Sequence, residues 1–316
     1  MNNIDHLISK SNTNNLKVIA LDYNPEIQQI FLLKAKQDLE LFIEILDLRN
    51  NEIKEILLDE KVCARPYGRI NFHAVNKENF YLSVDSSHLK INTSGEIVLK
   101  DQLDGTISSL NKKHVLKNYI FREDLVLIDF TDFKEHNLSD FFDDNFDEYD
   151  FTYFYFDDRY SIFSSPDNNI LTVILYCKDR DHPKCFHCIL EIESPEKINV
   201  LFVDKIDDLG QYYVISESLS ELAYQKYFTD DDNVYIRKLS GENFKNSENF
   251  IIDKNAELIF FDDHQFLLLY DEKIEIYKRS DISLLKSISI DQSAPYKIKK
   301  DILFYIKDAK LNYTEF

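Results

Sequence analysis

The chain repeats itself. Residues 30–60, IFLLKAKQDLELFIEILDLRNNEIKEILLDE, align with residues 265–291, QFLLLYDEKIEIYKRSDISLLKSISID. Both read as strand, acidic turn, charged strand, short polar turn, strand, and weaker copies lie between them. Repeated modules of this size bury their apolar faces by stacking on neighbours, which points to a ring of small antiparallel sheets closed on itself.

The period is measured at the polar turn where a charged strand doubles back. Such turns centre on Asn50, Ser94, Asp132, Pro195, Ser240 and Ser280, at intervals of 44, 38, 63, 45 and 40 residues that average 46. Dividing 316 residues by that period falls just short of seven, which favours seven repeats over six. Ile274 and Ile276 alternate with Lys273 and Glu275, and Ile288 and Ile290 with Ser287 and Ser289, the pattern of strands with one buried face. The wide interval places an insertion or longer strands around 140–190. Leu16 to Tyr23 reads as one strand, and 302–316 reads as two, so the first strand is expected to complete the last sheet and close the ring. Residues 1–15 are expected to be flexible. Residues 25–46 also carry apolar positions at helical spacing, but the alignment with 265–291 favours strands.

With these hairpins the chain resembles β-propeller repeat proteins of the WD-repeat and similar types. The resemblance implies an all-β fold, a single propeller domain spanning 1–316, built of four-stranded blades. The Trp-Asp and Gly-His signatures of WD repeats are absent, and the chain contains no Trp at all.

Charge narrows the partners. The formal net charge is −20, from 57 acidic against 37 basic side chains. A phosphate backbone or an anionic membrane surface needs clustered Lys and Arg, so neither nucleic acid nor membrane is expected as partner. A basic protein would be steered toward such a surface. The N-terminus has no basic stretch followed by an apolar run, and the longest apolar stretch, Ile170 to Cys177, is too short to span a bilayer. Four Cys in a chain this long do not make a disulfide framework, and the cytoplasm is the expected compartment.

The five glycines, Gly68, Gly95, Gly105, Gly210 and Gly241, are too dispersed for a dinucleotide fingerprint, a P-loop or a nucleophile elbow. No cofactor is expected. One metal-like cluster stands out: Cys177, His182, Cys185 and Cys188, with His187 among them, could offer thiolates and imidazole to zinc. Buried small cysteines beside a turn explain the same residues. Between Asp140 and Asp158 lies DFFDDNFDEYDFTYFYFDD, eight carboxylates and no basic residue. Asp143, Asp144, Asp147, Glu148, Tyr149 and Asp150 are candidate contacts for a basic partner, with aromatics as anchors. A second acidic loop, Asp230, Asp231 and Asp232, is added to that set. An enzymatic alternative would draw on His73, His264, Asp262 and Asp263 as acids and bases around a central channel.

The leading expectation is therefore a non-catalytic module that binds a basic protein. In general character the chain resembles immunity proteins of bacterial polymorphic toxins, which implies a cognate toxin as partner. A propeller scaffold for several partners is the alternative, and a propeller hydrolase or lyase stands behind it.

Overall fold

The computed structural model describes residues 2–14, 16–59, 61–63, 70–74, 78–84, 87–102, 106–110, 114–119, 124–129, 134–138, 141, 170–177, 184–206, 211–216, 220–226, 233–238, 246–253, 256–299 and 301–316. Among the described residues, after a helix, α1 (Asn2–Ser11), the strands fall into seven sheets taken in chain order. The first contains β1 (Lys17–Asn24), β2 (Gln29–Ala35), β3 (Leu41–Asp47) and β4 (Glu52–Leu57). The second contains β5 (Ile70–Ala74), β6 (Asn79–Val84), β7 (Ser87–Asn92) and β8 (Ile97–Gln102). The third is β9 (Thr106–Leu110), β10 (His114–Tyr119), β11 (Asp124–Asp129) and β12 (Glu135–Asn137). The fourth has three described strands, β13 (Ile170–Cys177), β14 (Lys184–Ser194) and β15 (Lys197–Ile206). The fifth is β16 (Gln211–Ile215), β17 (Glu221–Lys226), β18 (Asn233–Lys238) and β19 (Asn246–Ile251). The sixth is β20 (Glu257–Phe261), β21 (Gln265–Leu269), β22 (Lys273–Lys278) and β23 (Ser283–Ser289). The seventh again has three, β24 (Tyr296–Lys299), β25 (Ile302–Lys307) and β26 (Lys310–Glu315).

The two aligned segments of the sequence are the same three strands of two sheets, β2–β4 and β21–β23. Five of the six turn centres fall between the third and fourth strands of a sheet. Pro195 differs, because it joins the second and third strands of the three-stranded fourth sheet.

The chain divides into two compact units. The first comprises residues 1–103, 270–276 and 286–316. Here β2 and β3 are apolar on both faces. Phe31, Leu33 and Ile43 pack with Phe80, Leu82 and Ile91 of the second sheet. The alternate residues Ile30, Leu32 and Leu46 join Leu7, Ile8, Phe304, Ile306 and Leu311. Strand parity sends successive residues to opposite clusters. A strand buried on both faces loses polar alternation, which is why 25–46 imitates a helix in sequence.

Two expectations about the termini are corrected. Residues 2–11 are helical rather than flexible, and Leu7 is fully buried. Ile4, Leu7, Ile8 and Ser11 follow helical spacing, Asp5 stands in the first turn and Lys10 in the last, matching the helix dipole. Strand β1 pairs with β2, and among the described residues the last sheet holds β24, β25 and β26. The four residues between β1 and β2 form a turn in which Asn24 Oδ1 accepts from the amides of Glu26 and Ile27. Closing so short a loop costs far less entropy than joining chain ends about three hundred residues apart.

The ends meet by another route. Asp22 on β1 accepts at Oδ2 from the Ala74 amide of β5 (3.0 Å) and sits 3.0 Å from Lys297 Nζ on β24. Strand β1 thus lies between β5 and β24, so the last sheet neighbours the first.

The second unit comprises residues 104–269 and 277–285. Its core includes Leu127, Ile128, Ile189, Leu190, Leu222, Val234, Ile236 and Phe266. Phe266 stacks on Phe250 at 4.5 Å and on Tyr277 at 5.2 Å. Arg279 fastens the fifth sheet to the sixth: its two terminal nitrogens lie 2.8 and 3.3 Å from Glu221, and one also donates to the Asp262 carbonyl at 2.9 Å. This bidentate geometry is what Arg provides and Lys does not.

Candidate functional site

In the first unit a cleft of about 640 Å³ opens between α1 and β26. Both walls are set by local structure. Asn12, in the turn just after α1, donates from Nδ2 to the Leu311 carbonyl (3.0 Å) and accepts at Oδ1 from the Leu311 amide (2.9 Å). Its side-chain amide thereby imitates a neighbouring strand against β26. Asp5 and Ser9 project from α1, while Lys310, Asn312 and Tyr313 line the strand side. Burial, reinforced by the negative charge of Asp5, pushes the Tyr313 phenol above its ordinary range.

A buried polar network lies at the last residue of α1. Lys34 Nζ on β2 is 2.7 Å from Glu44 Oε1 on β3, with side chains 2% and 0% exposed. Lys34 Nζ also donates to the Ser11 carbonyl (3.0 Å) and hydroxyl (2.9 Å), and that hydroxyl donates to Glu44. Glu44 Oε2 has no hydrogen-bond partner among the described residues. The network anchors the C-terminal end of α1 to the first sheet. Each charge was visible in sequence as a lone ionic residue in an apolar run, IFLLKA and LFIEIL, and the register brings these two strands side by side.

The enzymatic candidates divide. Asp262 is committed to a turn, its Oδ1 accepting from the amides of His264 (2.6 Å) and Gln265 (2.7 Å). Asp263 and His264 are exposed beside it, and the His264 carbonyl accepts from the Arg279 amide at 2.8 Å. His73 sits on β5 opposite Tyr81. Of the metal candidates, Cys177 lies on β13, and Cys185 and Cys188 on β14. Cys188 is fully buried, and burial pushes its thiol up, away from the thiolate a metal would need. Among the described residues no group of three or more His, Cys, Asp or Glu is placed to hold a metal. His182 lies outside the described residues, as do the partner-binding candidates Asp143, Asp144, Asp147, Glu148, Tyr149, Asp150, Asp230, Asp231 and Asp232. No helix among the described residues is long and apolar enough to cross a membrane.

Sequence reasoning missed the cleft. Its signal was present in the i, i+3, i+4 spacing of Ile4, Leu7 and Ile8, masked by the surrounding Asn and Ser.

No protein-family model matches the chain, and no curated protein matches it in sequence. Solved structures do match it in shape. Hydrazine synthase of Kuenenia stuttgartiensis aligns with a TM-score of 0.55 at 10% identity, over 95% of this chain and 96% of that one. The WD40 domain of Neurospora crassa Pan2 aligns with a TM-score of 0.53 at 11% identity, covering 96% and 89%. The β-propeller domain of Myceliophteria thermophila Cps50 (Swd1) gives 0.51 at 11% identity, covering 95% and 97%. At such identities the likeness speaks for architecture alone, and the architecture is that of an all-β propeller.

Proposed function

We propose that this chain is a non-catalytic binding module, a seven-bladed propeller whose acidic surface holds a basic protein partner. The carrying observation is the net charge of −20, from 57 acidic against 37 basic side chains, on an all-β chain. A field of that sign attracts and orients a cationic protein and repels nucleic acid and anionic lipid. The blade count draws support from the seven successive sheets, and from first strands that lie side by side: β24, β1 and β5 in one unit, β9 with β13 and β16 with β20 in the other. Adjacent first strands are how blades meet around an axis. Propellers serve as enzymes and as platforms alike, so the fold does not choose between them; the charge favours a platform. In its narrower form the partner is a basic toxin held inactive in the cytoplasm, and a scaffold for several basic proteins is the broader form.

Co-purification from the native host at low and at high salt tests the reading. A basic protein retained at low ionic strength and released by salt is the expected result. Recovery of no basic partner, or of a nucleic acid, overturns it. A toxin-like reading frame beside this gene would select the narrower form.

A further inference from the structure

We propose that an extended, lysine-bearing segment of the basic partner docks in the cleft between α1 and β26, pairing its backbone with the open edge of β26. The proposal rests on the reading of a basic protein partner and assigns the surface that receives it.

The direction of the β26 backbone groups follows from bonds near its two ends. The Leu311 amide and carbonyl both bond to the Asn12 side chain, on the side away from β25. The Phe316 amide instead donates to the Asp301 carbonyl at 3.0 Å, on the β25 side. Strands β25 and β26 pair antiparallel in unbroken register from Lys307 and Lys310 to Ile302 and Glu315. In such a pair the backbone groups of alternate residues point to opposite edges. Tyr313 and Glu315 therefore share the orientation of Leu311 and turn their N–H and C=O groups outward.

Among the described residues β26 is the outer strand of its sheet. Asn12 fills the ladder position at Leu311, whereas the Tyr313 amide and carbonyl reach no hydrogen-bond partner among the described residues. An outer strand with unfilled ladder positions is a template for another strand. The first and second sheets, in the same unit, carry a fourth strand at this place, β4 on β3 and β8 on β7. At β26 the place opens onto the cleft, whose volume of about 640 Å³ suits a segment of a few residues. The open positions at Tyr313 and Glu315 are roughly 7 Å apart at the strand rise, so one short extended segment reaches both.

Charge selects the occupant. Asp5 lines the helix side of the cleft, and Glu315 is exposed at the end of β26 remote from the hairpin turn. The cation in the lining, Lys310, lies at the hairpin end and by strand parity on the opposite face of β26 from Tyr313 and Glu315. A lysine opposite Glu315 makes a favourable cross-strand pair. The net charge of −20 adds long-range attraction for such a segment and repels a second copy of this chain.

Acetyl-Lys-Val-Lys-Val-Lys-amide is the probe, titrated into the full chain and followed by calorimetry and by hydrogen exchange at the Tyr313 and Glu315 amides. Saturable binding is expected, with exchange at both amides slowed about tenfold or more as they enter a ladder. The fully N-methylated peptide keeps its charges but has no backbone N–H groups, and should bind about tenfold or more weakly. Acetyl-Glu-Val-Glu-Val-Glu-amide should give no protection. Glu315→Pro removes an outward N–H at an exposed edge position, where proline is tolerated. Its melting temperature should match that of Glu315→Gln, while its affinity for the probe falls further. Unchanged exchange at Tyr313, equal binding of the N-methylated peptide, or Glu315→Pro binding as tightly as Glu315→Gln would each overturn the open edge as the site. Equal protection by the glutamate peptide would overturn the basic occupant. A basic host protein that binds and is released by salt, yet leaves Tyr313 unprotected, would overturn this docking site while the reading of a basic partner stands.

Discussion

Replacing Lys34 by Met isolates the energetics of the buried pair. The wild-type pair is separated by 2.7 Å and fully removed from water. At an effective dielectric of about 20, Coulomb attraction at that separation is roughly 6 kcal/mol. Desolvation of the two ions offsets most of it, so the intact pair contributes little net stability relative to an apolar pair. Removal of one partner is different. Lys34→Met leaves the Glu44 carboxylate buried, with Oε2 already lacking a partner among the described residues and only Ser11 donating to Oε1. The expected cost is about 3–5 kcal/mol. At roughly 2 °C per kcal/mol for a chain of this size, melting falls by about 6–10 °C. The double variant Lys34→Met/Glu44→Leu should recover to within about 1 kcal/mol of wild type, about 2–4 kcal/mol more stable than Lys34→Met alone. Urea unfolding is followed by far-UV circular dichroism and by tyrosine fluorescence, which the absence of Trp leaves unobscured. A single variant costing under about 1 kcal/mol, or a double variant no more stable than the singles, refutes the reasoning.

Other positions give independent tests. Gly95 has φ of 94°, and a Cβ there would meet the Leu57 carbonyl oxygen at 1.9 Å, so Gly95→Ala should cost about 3 kcal/mol in urea unfolding. Gly95→Asn should do no better despite tolerating that φ, because the obstruction is backbone; a cost under about 1 kcal/mol for either would count against it. Asn12→Ala removes both bonds to Leu311, and hydrogen exchange at the Leu311 amide should quicken with a loss of about 1–3 kcal/mol; unchanged protection would refute the clamp. Burial pushes the Asp47 carboxyl up, but donation from the Asn50 and Arg49 amides and the Gln29 and Asn50 side chains outweighs it and holds it below the ordinary range. Its contribution is present above the unfolded carboxylate pKa and disappears as pH falls through the lower folded value. Asp47→Asn should flatten the acid limb of the stability profile, and an identical acid limb would show that the turn does not matter.

The repeat was legible because hairpins are local. Strand alternation, polar turns and a period near 46 residues located five of six turn positions between third and fourth strands. Pro195 misled because the fourth sheet has three described strands, and a turn motif does not announce which strands it joins. The cleft was not legible. Asp5 and Tyr313 are at opposite ends of the chain, and nothing in either neighbourhood names the other. Lys34 and Glu44 could be suspected individually, yet Ser11 joins them only because α1 docks on the first sheet.

Composition and periodicity alone determined the all-β character, the hairpin module and the charge that selects partners, since all three depend on residues close in sequence or on simple sums. Tertiary structure alone decided how the ends meet. Strand β1 stays in its hairpin with β2 because local closure costs least entropy. The tail is instead secured by side chains, with Asn12 on Leu311 and Lys297 on Asp22, around a helix whose apolar face has meaning only against the core that buries it.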